Sequence, residues 1–124
     1  MSNIFNDEDT KKVKAILREH MQELGYDSHK LRYVTDRCEE GGYDLTIFWE
    51  RAEHTKEKMS FIGGTIVGAA AAKHRKSLSE VPVLATTAQD MVKLHFGNEK
   101  DIVLSLNALT DNRDLKLELR GHNR

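Results

Sequence analysis

Apolar residues recur along this chain with two different periods, and the changes of period mark its elements. From Glu8 to Leu24, Val13, Ile16, Leu17, Met21 and Leu24 share one stripe, while Lys11, Lys12, Lys14, Arg18, Glu19 and Glu23 lie mostly off it. That spacing predicts an amphipathic helix with one face built for burial. Asn6 or Asp7 can cap it, and Asp7, Glu8 and Asp9 oppose the positive end of its dipole. Gly25 is a natural stop.

The period then falls to two. Lys30 to Cys38 and Tyr43 to Arg51 read as strands joined by Glu39-Glu40-Gly41-Gly42, whose glycines supply the positive φ of a tight turn. In the second strand Tyr43, Leu45, Ile47 and Trp49 share one face, and Asp44, Thr46, Phe48 and Glu50 the other. This is the signature of a half-buried antiparallel strand.

Beyond it the pattern is ambiguous. Arg51 to Lys58 is charged and reads as a loop or the exposed start of a strand. Lys56 to Ile62 predicts a third strand, Gly63-Gly64 breaks it, and Thr65 caps a helix from Ile66 to about Leu78. The alternative is one strand through Val67 with a glycine bulge. The four alanines Ala69 to Ala72 favour the helix. Val81-Pro82 breaks the chain. Thr87-Ala88-Gln89-Asp90 resembles a capping box, and Ala88, Met91, Val92, His95 and Phe96 recur at helical spacing up to Gly97. Asp101 to Leu109 and Arg113 to Arg120 read as closing strands around Thr110-Asp111-Asn112, with Ile102, Leu104, Leu106 and then Leu115, Leu117, Leu119 inward.

The expected fold is a single α+β domain over residues 1–124. It is an antiparallel sheet of four to five strands with two or three helices packed on one face, in the order α-β-β-(β/α)-α-β-β. A final edge strand of alternating charge, Asp114 to Arg120, resists aggregation yet can pair with a second copy. The order helix, three strands, helix, two strands is similar to that of the small secretion chaperones that hold unfolded effector proteins, and the likeness implies a chaperone-like role. Those chaperones usually end in a further helix, whereas this reading ends on a strand.

Charge narrows the partners. Charged residues make up 31 % of the chain, yet Lys and Arg number 19 against 20 Asp and Glu, a net charge of -1. The basic excess of a dedicated nucleic-acid binder is missing. Cys38 is the only cysteine, which excludes an intrachain disulfide and a multi-cysteine zinc site and fits a reducing cytoplasm. Residues 1–9 lack the apolar core of a secretory signal. The apolar run 61–72 falls well short of the ~20 residues that span a bilayer. The expected location is cytoplasmic.

Candidate chemistry is sparse. Gly63 and Gly68 are spaced like the outer glycines of a phosphate loop, but Ala69 and Ala70 stand where Lys and Ser/Thr are needed. Thr65 occupies the middle glycine of a dinucleotide fingerprint. Gly63, Gly64, Thr65 and Gly68 therefore read as a close-packing segment, or else as a loose anion site. Gly64, Gly68 and Ala72 form a small-residue stripe for the sheet or for a partner. Lys73, His74, Arg75 and Lys76 are a candidate basic patch at the end of that helix, with no aromatics interleaved to stack on bases.

Six histidines (His20, His29, His54, His74, His95, His122) include no metal-binding helical pair. His20 and His95 read as hydrogen-bonded packing residues. Cys38 sits beside Glu39 and Glu40, which disfavour a thiolate, and reads as structural. Asp44, Glu50 and Glu53 read as a charged outer strand face. No catalytic residue, metal ligand or cofactor is assigned. The chain reads as a protein–protein interaction module, binding, inhibitory or chaperone-like and homodimeric. The alternatives are a regulator binding nucleic acid or an anionic ligand through Gly63 to Lys76, and an enzyme with a site assembled by the fold from His54, Asp44 or Glu50.

Overall fold

The computed structural model describes residues 4–26, 31–49 and 55–118. Helix α1 (Asp7–Glu23) is followed by strands β1 (Leu31–Arg37) and β2 (Tyr43–Trp49), helix α2 (Lys56–His74), strands β3 (Val83–Thr87) and β4 (Met91–Phe96), helix α3 (Glu99–Ala108) and one 3-10 turn (Arg113–Leu115). The four strands form one antiparallel sheet in the order β1-β2-β4-β3. With three helices on one face of that sheet, the fold is of the expected α+β class.

The first third matches its sequence. Asn6 caps α1 by accepting the Asp9 amide at 2.8 Å, and Val13, Ile16, Leu17 and Met21 are buried. Gly41 and Gly42 turn the hairpin with φ of 109° and 82°. The inner face of the sheet carries Leu31, Tyr33, Leu45, Ile47, Trp49, Val92, Leu94 and Phe96, all in the core. The core closes with Ile62 and Ile66 of α2 and Ile102 and Leu106 of α3.

The middle differs from the expectation. Residues 56–62 are helix, not strand: Thr55 is the cap, accepting the Lys58 amide at 3.2 Å, and one helix runs through both glycines to His74. Met59, Ile62, Gly63, Ile66 and Ala70 bury a helical face. Gly63 is a contact point here, not a breaker. A Cβ on it would lie 2.8 Å from Leu84 Cδ1 and 3.1 Å from Val92 Cγ1. Thr65 sits inside the helix and caps nothing.

Helix and strand are exchanged in the last third. Residues 87–96 are not a helix. Thr87 ends β3, Ala88 to Asp90 make the turn, and the Ala88 amide bonds the Met91 carbonyl at 2.8 Å. Val92, Leu94 and Phe96 satisfy a strand period as well as residues 88–96 satisfy a helical one, and pairing with β2 decides between them. Residues 101–109 are not a strand but α3, capped by Asn98, which accepts the Asp101 amide at 2.9 Å.

The Arg113–Arg120 segment is likewise no sheet strand over its described part. After the 3-10 turn it runs as an extended strap across the helices. The Asn107 side chain mimics a strand partner for it, donating to the Leu117 carbonyl at 2.9 Å and accepting the Leu117 amide at 2.8 Å. Lys116 places its ammonium on the Asn107 and Thr110 carbonyls at the negative end of α3. The expected alternation still holds for Leu117, which is buried against the core.

Among the described residues the element order is thus α-β-β-α-β-β-α, with the 3-10 turn and the strap after α3 and no third strand directly following β2. His29, Glu50, Glu53, His54, Leu119, Arg120 and His122 lie outside the described residues. No helix among the described residues is long and apolar enough to cross a membrane.

Candidate functional site

Two surfaces concentrate the chemistry. The first lies on the sheet face opposite the helices, where β2 meets β4. Asp44 and His95 are directly cross-strand, so both side chains leave the same face. His95 Nδ1 lies 2.9 Å from Asp44 Oδ1 and 3.8 Å from Cys38 Sγ. Cys38 is held beside them by the hairpin, its amide donating to the Gly42 carbonyl at 3.0 Å and its carbonyl accepting the Gly41 amide at 3.1 Å. The His95 and Asp44 side chains keep 36 % and 22 % of their exposure, so the cluster opens to solvent.

Gly42 makes this approach possible. Besides its positive φ, a Cβ at this position would meet the Phe96 carbonyl oxygen and stand 2.9 Å from two atoms of the His95 ring. The hairpin turn and the imidazole therefore share one space.

The three residue types suggest nucleophilic catalysis, but their arrangement argues against it. In a working triad the nucleophile and the orienting acid sit on opposite ring nitrogens of the histidine. Here Cys38 and Asp44 both face Nδ1. Partial burial pushes the Cys38 thiol above its usual range, and the neighbouring Asp44 carboxylate pushes it further, with Lys93 as a weaker opposing charge. A thiol kept protonated is a poor nucleophile.

What the arrangement offers is three convergent donor atoms of sulfur, nitrogen and oxygen, all within 4.8 Å of one another. Sequence reasoning named all three residues but never together. With residues 87–96 taken as a helix, His95 had no cross-strand partner.

The second surface is the outer side of α2. Gly63 packs inward, but Gly64 and Gly68 face open space, with no atom near where a Cβ would stand. Glu57, Phe61, Gly64, Gly68, Ala72 and Arg75 are all exposed and recur at helical spacing, forming one stripe. Phe61 keeps 55 % of its surface in solvent. Beside the far end of the stripe is a groove of about 280 Å³ lined by Ala71, Ala72 and Arg75. Thr65 belongs to the inner side, within 2.9 Å of His20 Nε2.

The four residues of the basic quartet differ in their surroundings. Lys73 pairs with Asp111 at 3.0 Å, and that ammonium holds the Asp111 carboxyl below its usual range. His74 is half-buried; desolvation, with Lys116 and Lys73 nearby, pushes its imidazole below the ordinary value and keeps it neutral at pH 7. Arg75 and Lys76 are exposed beyond the helix end.

No protein-family model, curated protein or solved structure matches this chain, so its functional reading rests on these two surfaces.

Proposed function

We propose that this chain is a small cytoplasmic protein–protein interaction module, binding, inhibitory or chaperone-like and without catalytic activity, that works as a homodimer through the outer face of α2. The observation that carries this reading is the symmetry of the exposed stripe about Ile66. Gly64 and Gly68 stand two residues either side of it, and Glu57 and Arg75 nine residues either side.

Two such helices crossing antiparallel on a two-fold axis match themselves. Gly64 of one copy meets Gly68 of the other, where absent side chains let the helix axes come close. Phe61 faces the groove beside Ala71, Ala72 and Arg75 of the second copy, and Glu57 faces the second copy's Arg75. The outermost pair is separated by about 27 Å along the helix, so the whole length of α2 takes part. An exposed glycine costs a helix about 1 kcal/mol relative to alanine, a cost that close helix contact offsets.

Sedimentation equilibrium on the full chain tests this. The expected result is a dimer at micromolar concentration, a monomer for Gly68→Leu with helix content retained, and weakened association for Glu57→Lys that Arg75→Glu restores in the double variant. A wild-type chain that stays monomeric, or a Gly68→Leu dimer of unchanged affinity, sinks the reading.

A further inference from the structure

We propose that Cys38, Asp44 and His95 form a three-ligand site for a borderline divalent transition ion such as zinc. In tetrahedral zinc sites with bonds of about 2.0–2.3 Å, neighbouring ligand atoms stand roughly 3.2–3.8 Å apart. The observed 2.9 Å between Nδ1 and Oδ1 and 3.8 Å between Nδ1 and Sγ bracket that range. Small side-chain rotations place all three donors around one ion.

The donor set selects the ion. A thiolate and an imidazole suit zinc or cobalt, and are poor ligands for the hard ions magnesium and calcium. Thiolate and carboxylate together balance a charge of +2, with the imidazole neutral. Three protein ligands open to solvent leave the fourth position to water or to an exchangeable ligand.

The scaffold suits the task. Asp44 and His95 are fixed by strand register at the centre of the sheet, and Cys38 by the turn that Gly42 keeps compact. Among nearby charges, Glu40 favours a cation and Lys93 opposes it. The site lies on the sheet face away from α2, so it stands or falls independently of the dimer.

The test is a titration of the full-length, metal-stripped, reduced chain with Co²⁺, followed by displacement with Zn²⁺. The expected result is one ion per chain, a thiolate-to-cobalt charge-transfer band in the near ultraviolet, and d–d bands of tetrahedral intensity that zinc abolishes. Cys38→Ser removes the charge-transfer band. His95→Ala and the near-isosteric Asp44→Asn weaken binding by more than the ~10–100-fold that loss of an outer partner costs. Circular dichroism confirms that each variant is folded, and His74→Ala serves as a control that binds normally. Absence of the charge-transfer band in the wild type overturns the proposal, as does unchanged binding by both folded Cys38→Ser and Asp44→Asn.

Discussion

His20 on α1 and Thr65 on α2 meet across the helix layer, with His20 Nε2 2.9 Å from the Thr65 hydroxyl oxygen. Thr65 donates its own proton to the Ile62 carbonyl at 2.8 Å. Its oxygen can therefore only accept from His20, which fixes the neutral ring as the tautomer protonated at Nε2. Burial lowers the His20 pKa below the ordinary 6.5, with Glu23 partly opposing.

A pH dependence follows from that burial. Because the folded pKa is depressed, the unfolded chain takes up the proton first as pH falls, so this contribution to stability is full above about pH 6.5 and declines below it until the folded pKa is passed. The slope is at most about 1.4 kcal/mol per pH unit for one proton. Urea unfolding at pH 7.5 and pH 5.5 should show a smaller acid loss for His20→Gln than for the wild type; equal losses would exclude His20 as the source.

Adjacent glycines on α2 should respond with opposite signs. Gly64→Ala meets open space and gains helix propensity, raising monomer stability by roughly 0.5–1 kcal/mol. Gly63→Ala makes the same gain but pushes a methyl against Leu84 and the fully buried Val92, for a net loss of about 1 kcal/mol. Thermal unfolding of both variants at one protein concentration reads the sign of each.

The hairpin turn is less forgiving. Gly42→Ala forces a Cβ onto the Phe96 carbonyl while holding φ at 82°, and should cost about 2–3 kcal/mol. Gly41→Ala shares the positive φ but meets nothing within 4 Å, so it should cost less. Denaturation midpoints that rank the two variants the other way would contradict the crowding.

Ser105 presents the reverse case. Its hydroxyl is fully buried in α3 and has no hydrogen-bond partner among the described residues. Replacing it with alanine removes a desolvated polar group and adds helix propensity, so Ser105→Ala should gain up to about 1 kcal/mol. A loss of stability would reveal a partner for that oxygen.

The two halves of the chain differ in how far sequence alone could reach. In α1 and the first hairpin, periodicity, caps and turn glycines agree, and the structure follows them closely. In α2 they conflict: apolar residues lie all round the helix and two glycines interrupt it, so a local reading breaks it where packing demands continuity. Residues 88–96 fit both periods, and only the partner strand β2 selects one. That single exchange also hid the cluster, because Cys38, Asp44 and His95 converge through pairing between strands some fifty residues apart. The alternation of Val92, Leu94 and Phe96, leaving Lys93 and His95 together on the other face, was the available signal.

The β2–β4 pairing has a kinetic consequence. Each hairpin, β1–β2 and β3–β4, closes over a short loop, whereas their joining must bring together segments separated by the whole of α2. Loop-closure entropy places that joining late and makes it the slow step of folding. The Asp44–His95 pair lies on this seam. Contacts that draw the hairpins together there form at the barrier, so their strength sets the folding rate more than the lifetime of the folded chain.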